Sequence, residues 1–317
     1  MSEPVVFVET SARLHFGVLD LSGSLGRWFG GIGAAAAAPR LRVSAARADT
    51  VEVDGDDSDR AAQFARRFLD RYNLRGGARL SVLEALPAHA GLGSGTQLGL
   101  AVARALAELY GIDANATELA TAVGRGQRSA IGTWTFEGGG LVVEGGRRED
   151  GAGLAPLVAR AVLPTTWRTV VAVPRAASPV SGDDEAAAFR RLTRPPRDEA
   201  ERVAHLVLMA LLPAVADHDL STFGRALSDI QAITGGWFAA AQGGTFARGA
   251  SAELVRRMAE WGACGVGQSS WGPTVYGIVE GDAASDQLAA RVKQCLGSEG
   301  AVYAGPFRAS GARVWRE

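Results

Sequence analysis

Pro87-Ala88-His89-Ala90-Gly91-Leu92-Gly93-Ser94-Gly95-Thr96-Gln97 is the stretch on which the reading of this chain turns. Three glycines and two hydroxyl residues stand directly before an apolar run, Leu98 to Leu109, and that run closes at Gly111. The pattern predicts a helix ending on a glycine, the residue that accepts positive φ most readily. Leu98, Leu100, Ala101, Val102, Ala103 and Leu106 leave the helix almost no polar face, so it is expected inside the protein. A buried helix N-terminus cannot rely on bulk water to satisfy its unpaired N–H groups. Together with the helix dipole, those amides predict an anion site suited to phosphate, formed by Gly91, Gly93, Ser94, Gly95 and Thr96. An ordinary strand-to-helix turn would explain the glycines, which relieve backbone strain, but not the burial of the helix that follows.

Composition narrows the partners. The chain has 317 residues, enough for one large domain or two moderate ones. Its net charge is −1, with acids and bases balanced, so no nucleic-acid partner and no anionic membrane surface is expected. Hydrophobic residues make up 47%, yet no apolar run reaches bilayer-spanning length. The segment Met1 to Thr10 carries acids around a strand-like Val5-Val6-Phe7-Val8 and does not read as a signal peptide. Cys264 and Cys295 are too few for a disulfide framework or a cysteine-based zinc site. A reduced, cytoplasmic protein is the expectation. All basic residues but Lys293 are arginine. An anionic substrate must therefore be held by arginine forks, backbone amides, hydroxyls or metal.

Along the chain, the opening strand precedes a polar, glycine-rich segment from Ser11 to Gly33. Leu41–Ala45 and Val51–Val53 suggest a hairpin across the polar turn Arg47–Thr50. Asp59 to Tyr72 reads as an amphipathic helix, and Leu80–Leu83 as the strand feeding the glycine-rich loop. Asn115-Ala-Thr-Glu118 carries the pattern of a capping box. Strands are expected at Gly140–Glu144 and Trp167–Val173. Residues 176–199 form a Ser-Pro, Gly-Asp-Asp and Arg-Pro-Pro composition break, read as a surface crossing. Helices are expected at Glu201–Leu212, Leu220–Ile233 and Ala252–Trp261. Strands around Thr274–Val279 and Val302–Gly305 then flank a helix at Ala284–Cys295. The N-terminal half is thus β-rich with inserted helices, and the C-terminal third reads β-α-β.

Three further segments carry candidate chemistry. The first holds Arg13, His15 and Asp20 among glycines and continues through Arg27, Trp28 and Gly30-Gly31-Ile32-Gly33. Polar groups converging beside a strand end mark a ligand site more often than a core, although His15 alone could be a satisfied structural histidine. The second, Arg125 to Gly140, contains Ser129-Ala130-Ile131-Gly132 and the triplet Gly138-Gly139-Gly140. The third is Gly262-Ala263-Cys264-Gly265-Val266-Gly267-Gln268-Ser269-Ser270-Trp271-Gly272-Pro273-Thr274. It offers amide and hydroxyl donors beside an aromatic face, and core filling would account for Trp271 but not for Gln268, Ser269 and Ser270 in succession.

The loop is neither a Walker motif, which needs Gly-Lys-Ser/Thr, nor a GxGxxG dinucleotide fingerprint. Pro87, Gly91, Leu92, Gly93 and Ser94 resemble instead the second motif of the GHMP kinase superfamily. That superfamily places a catalytic aspartate after a Ser-Gly-Ile element. Aligning Ser129 and Ile131 with it puts Gly132 where the aspartate belongs, and glycine cannot accept a proton. The assisting lysine near the N-terminus is also missing, with Arg13 the long cation in the first motif. Arg13-Leu-His15-Phe-Gly17-Val-Leu-Asp20-Leu, Gly30-Gly31-Ile32-Gly33 and Gly267-Gln268-Ser269-Ser270-Trp271-Gly272-Pro273 resemble the β-ribofuranosylaminobenzene 5′-phosphate synthase family, over about Val8 to Tyr303.

The resemblance implies an α+β, GHMP-kinase-like, two-lobed fold. Residues 1–165 would form a β-rich lobe carrying the phosphate loop, and 166–317 a ferredoxin-like β-α-β lobe. It implies a pentosyltransferase of tetrahydromethanopterin biosynthesis. 4-Aminobenzoate or 4-hydroxybenzoate would condense with phosphoribosyl pyrophosphate to a C-riboside, releasing CO2 and pyrophosphate, with no ATP requirement. Catalysis would then be positioning plus neutralisation of the leaving group, by loop amides, hydroxyls and Mg2+. Asp20 and Glu137 are the candidate metal ligands. Arg13 or Arg27 would orient the benzoate carboxylate, with Trp28 or Trp271 stacked on the ring and Gln268, Ser269 and Ser270 beside it. His15 would handle the ring substituent's proton or bind phosphate. A GHMP-type small-molecule kinase and a non-catalytic phosphosugar-binding module stay open as alternatives. A homodimer is the default assembly.

Overall fold

Ala12, Leu14, Phe16 and Val18 are all buried, a period of two that belongs to a strand. In the computed structural model, which describes residues 4–151, 153–175, 192 and 194–317, this pattern lies inside β1 (Val6–Asp20). β1 runs antiparallel to the still longer β2 (Arg27–Ala48), with Val6 opposite Ala45 and Asp20 opposite Phe29. The segment from Ser11 to Gly33, expected as an irregular glycine-rich stretch, is therefore mostly a twisted two-stranded ladder. Its irregularity lies in the turn at 21–26 and in register shifts at Ser11/Arg13 and His15/Gly17. Ala34–Ala38 lies within β2.

The expected hairpin between Leu41–Ala45 and Val51–Val53 does not form. β3 (Glu52–Gly55) leads through α1 (Ser58–Arg71) to β4 (Gly77–Glu84), and β3 pairs with β4 in parallel. β4 takes the place beside β2 instead, with Val43 opposite Val82. A short polar turn signals a change of direction but not the neighbour, and the helical crossover is what makes a parallel pair available. The sheet is completed by β5 (Leu141–Glu144), β6 (Arg147–Arg148) and β7 (Leu157–Ala161), and by the last strand of the chain, β12 (Arg313–Arg316), which pairs with β1.

α2 (Ser94–Tyr110) crosses the interior as its composition requires. Leu98, Leu100, Ala101, Val102, Ala103 and Leu106 are all buried, and the chain leaves the helix through Gly111 at φ 68°. Burying each leucine contributes roughly 1.5–3 kcal/mol, which fixes the helix and therefore the loop before it. α3 (Ala116–Ala122) starts on the expected capping box. The Asn115 side chain accepts from the N–H of Thr117 and Glu118, and Glu118 accepts from the Asn115 N–H. α4 (Ile131–Gly138) then turns the chain toward β5.

The second sheet is antiparallel in the order β11 (Gly300–Pro306), β8 (Trp167–Pro174), β10 (Val275–Glu280), β9 (Gly265–Gln268). Its two faces go to different cores. Val171, Tyr276 and Ile278 join the main core, whereas Val170, Ala172, Val275 and Val279 pack with α8 (Ala250–Glu260) and α9 (Asp282–Leu296). The expected helix at Glu201–Leu212 is α5 (Arg197–Leu206) continued by a π-helical turn, Val207–Leu211, into α6 (Leu212–Ala216). Pro213 has no N–H for an ordinary helical bond at that joint, a loss that favours the wider turn. α7 (Leu220–Gln242) is longer than its periodicity suggested. Most of the composition break at 176–199 lies outside the described residues. The architecture is α+β.

Candidate functional site

The loop before α2 is held open by its neighbours. Gly93 occupies the N-cap of α2 in the left-handed region, at φ 76° and ψ 21°, and its carbonyl accepts from the N–H groups of Thr96 and Gln97. Arg13 lies along this glycine, and a β-carbon on Gly93 would stand 2.9 Å from Arg13 Cγ. The guanidinium reaches on to donate to the Gly91 carbonyl. On the other side stands the turn after β9, where the Ser269 hydroxyl donates to the same carbonyl at 2.7 Å and accepts from the His15 N–H at 2.9 Å. The Thr274 N–H donates to the Ala90 carbonyl at 3.3 Å. One hydroxyl thus joins β1, the loop and the second sheet.

These elements surround a cavity of about 480 Å³, a volume suited to one organic substrate. Arg13, His15, Gly91, Gly93, Ser94, Gly95, Thr96, Ser270 and Trp271 all line it. The N-terminal segment and the third glycine-rich segment, more than two hundred and fifty positions apart where His15 meets Ser269, come together as expected. Gly132 stands beside the loop, and a β-carbon there would lie 3.0 Å from Thr96 Cγ2. Its carbonyl accepts from Gln97 Nε2, whose Oε1 accepts from the buried Thr10 hydroxyl. A side chain at position 132 would therefore project against the first turn of α2, where an aspartate would face the loop.

Several expected site residues lie elsewhere. Glu137 is engaged by Arg160 at 3.0 Å and does not line the cavity. The Asp20 carboxylate accepts from the Ser22 N–H at the far end of β1 and is likewise outside. Neither fits the role of metal ligand. Among the described residues no group of three or more His, Cys, Asp or Glu could hold an ion. Arg13, Arg60 and Arg125 line the cavity around Gly91–Thr96, a cationic set that does not fit a protein-held Mg2+. Arg27 donates to the Gly146 carbonyl at 3.0 Å, and Trp28 packs against Gly23 with Arg194 5.2 Å from its ring centroid. Both belong to the β1–β2 hairpin tip, where the ladder and not the cavity sets their surroundings. Arg13 donates to the Gly91 carbonyl, the same oxygen that the Ser269 hydroxyl reaches. Gln268 is a buried anchor: it accepts from the Ala247 N–H at 2.7 Å and donates to Gln242 and the Ser270 carbonyl. Ser269 is equally a fastening and not a lining residue.

The cavity also has residues that no motif announced. Phe29, Phe238 and Val18 line it with Trp271, whose ring meets Phe238 edge-on with centroids 5.0 Å apart. Arg60 and Arg125 line it near Gly95. Glu144, at the end of β5, is buried, and its carboxylate accepts from Gly146 N–H at 2.8 Å and, at 3.4 Å, from Ala130 N–H. Burial pushes its pKa up to about 7 against the pull of these two backbone donors. His15 moves the other way. Desolvation, then the positive charge of Arg13, lowers its pKa to about 3, so the imidazole is neutral near pH 7. Phe29 and Glu144 sat in segments already read as strand or glycine-rich, and only the pairing of β2 with β5 brings them to one wall.

Among the described residues no helix is long and apolar enough to cross a membrane. Residues 59–136 match the model of the GHMP kinases N terminal domain, and residues 211–298 that of the GHMP kinases C terminal domain. A homoserine kinase from Cytophaga hutchinsonii shares the fold at a TM-score of 0.71, with 16% identity over 99% of this chain and 98% of that one. The beta-ribofuranosylphenol 5'-phosphate synthase of Archaeoglobus fulgidus is 36% identical over 288 residues, covering 87% of this chain and 88% of the relative. The protein of the same name from Methanothermobacter thermautotrophicus is 33% identical over 304 residues, covering 87% and 89%. With both GHMP kinase domain models matched and this level of identity over most of its length, the chain belongs to the beta-ribofuranosylphenol 5'-phosphate synthase family of the GHMP kinase superfamily.

Proposed function

We propose that the protein condenses a 4-substituted benzoate with phosphoribosyl pyrophosphate, forming a C-riboside 5′-phosphate and releasing CO2 and pyrophosphate. The observation that carries this reading is one cavity with a phosphate loop at one end, aromatic side chains in its lining, and Gly132 in place of a phosphoryl-transfer base. In the proposed reaction the ring carbon bearing the carboxylate attacks the anomeric carbon. The anomeric C–O bond breaks with its electron pair leaving on pyrophosphate. Loss of CO2 then returns a pair to the ring and restores aromaticity. The loop amides and Arg13 supply the positive potential at the leaving group. Trp271 and Phe238 supply an aromatic surface for the ring.

The relatives are named for a phenol product, which makes 4-hydroxybenzoate the first acceptor to try and 4-aminobenzoate the second. With a phenol, withdrawing the hydroxyl proton as the ring attacks makes the para carbon more nucleophilic. Glu144, half protonated near pH 7, is matched to take that proton and return it, whereas His15 is too weak a base. A C-riboside of this kind would serve tetrahydromethanopterin biosynthesis, the pathway that the family resemblance implies.

The test is direct. Purified protein mixed with phosphoribosyl pyrophosphate and each benzoate should release equimolar pyrophosphate and CO2. ATP with sugar or isoprenoid alcohols should yield no ADP. Steady ADP production coupled to such an acceptor would replace this reading with the kinase one, and binding without turnover would replace it with the phosphosugar module.

A further inference from the structure

Arg60 and Arg125 come from different elements to the same point. Arg60 lies in the first turn of α1, and Arg125 follows α3. A β-carbon built on Gly95 would stand 2.9 Å from Arg60 Nη2 and 2.8 Å from Arg125 Nη2. The two guanidinium tips therefore converge over the first turn of α2, within reach of one anion. Each is oriented from behind. Asp57 stands 3.5 Å from the other terminal nitrogen of Arg60, and the Arg125 guanidinium lies over the Phe64 ring at 5.8 Å.

Gly95 makes the same point from the backbone side. It sits inside the helix, where glycine is a poorer choice than alanine, and it is not a position of positive φ. What it provides is room, because any β-carbon would stand less than 3 Å from both guanidinium tips. The pair stands at the helix end of the loop. The turn bearing Trp271 packs at the other end, where Ser269 meets Gly91.

We infer that Arg60, Arg125 and the Gly95 backbone form a subsite for the pyrophosphate group of the sugar substrate, distinct from the place of its 5′-phosphate. This rests on the reading under Proposed function. Of the two phosphate groups, pyrophosphate carries more charge and gains more as the anomeric C–O bond breaks, so the densest positive potential does most there. The planar forks of arginine suit adjacent phosphoryl oxygens better than a single ammonium would. The aromatic ring enters from the Trp271 end, so the group it displaces leaves toward the arginines.

Calorimetric titration with two probes, inorganic pyrophosphate and ribose 5-phosphate, tests this. Arg60→Met and Arg125→Met should each weaken pyrophosphate about tenfold or more and leave ribose 5-phosphate within about twofold. Gly95→Ala should do the same with an unchanged melting temperature and helix content, since its methyl displaces only the flexible ends of two side chains. This third variant keeps the test sharp if either arginine variant folds poorly. Unchanged pyrophosphate affinity in Gly95→Ala, or a loss that falls on ribose 5-phosphate, would overturn the assignment. If wild-type protein binds pyrophosphate, loses it in the variants, and yet makes no riboside, the subsite stands and the reading under Proposed function fails. If wild-type protein makes riboside and the variants bind pyrophosphate normally, the reverse holds.

Discussion

The phosphate side of the cavity comes largely from one unbroken stretch, Gly91 to Thr96, whereas the aromatic side is assembled from four separate places. Val18 comes from β1, Phe29 from the start of β2, Phe238 from α7 and Trp271 from the turn after β9. The first side depends on backbone amides and a helix end, so its chemistry is written in local spacing. The second depends on which strand pairs with which and in what register. A contiguous wall breaks when one backbone position changes, and a dispersed wall yields one residue at a time.

The sharpest way to break the comparison is Gly93→Val. At φ 76° the valine would be strained by roughly 1–3 kcal/mol, and its β-carbon would meet Arg13 Cγ at 2.9 Å. We expect kcat/KM for phosphoribosyl pyrophosphate to fall about a hundred-fold or more, with α2 still helical by circular dichroism. A variant that folds and keeps its KM for that substrate would show that the loop is not the phosphate wall.

Glu144 tests the dispersed wall through stability. Its carboxyl ionises at about 7 in the folded protein against 4.5 for an unburied glutamate, because burial penalises the charged form. A raised acid pKa means the unfolded chain loses its proton first. Stability should therefore fall as pH rises from about 4.5 through 7, by about 3 kcal/mol in all. Glu144→Gln cannot ionise and can still accept the Gly146 N–H, so its melting temperature should lose that part of the pH dependence. Parallel melting profiles for the two proteins between pH 5 and 8 would remove the basis for treating Glu144 as a desolvated acid.

Arg13→Ala sharpens where the two walls meet. Arg13 springs from β1, the strand that also supplies His15 and Val18, but its guanidinium lies on the loop. The expected consequence is a KM for phosphoribosyl pyrophosphate raised roughly tenfold to a hundred-fold, from a charge-assisted contact worth about 1.5–3 kcal/mol. The KM for the benzoate should move little. A selective loss of benzoate affinity would return Arg13 to the aromatic side.

These residues also mark what could be read in advance. The α2 helix, its glycine stop and the capping box at Asn115 rest on interactions within a few positions, and all three stand as expected. The meeting of the His15 segment with the Ser269 turn was legible because both are too polar and glycine-rich for a core. Arg27, Trp28 and Glu137 misled because residue type suggested chemistry while register decided direction. β2 carries Arg27 and Trp28 to the hairpin tip, and α4 turns Glu137 toward Arg160. Arg60 and Glu144 were silent, and Arg125 was given no role within its glycine-rich segment, for the complementary reason. Arginine and glutamate are common, and only the convergence of α1, the end of α3 and β5 on one cavity distinguishes these three.

The smallest expected effect separates architecture from chemistry. Asn115 satisfies two N–H groups at the start of α3, and Glu118 closes the box by accepting from the Asn115 N–H. Asn115→Ala leaves those two donors to water and should cost about 1 kcal/mol of stability. Asn115→Ser, whose hydroxyl also caps, should recover most of it. Neither substitution touches the cavity, yet α3 leads into the segment bearing Arg125. If Arg125 is held mainly by its own contacts, such as the one with the Phe64 ring, then kinetic constants should be unchanged at temperatures well below melting. A rise in the KM for phosphoribosyl pyrophosphate in Asn115→Ala, reversed in Asn115→Ser, would instead mean that the cap positions Arg125. The arginine pair would then be as sensitive to local backbone order as the loop beside it.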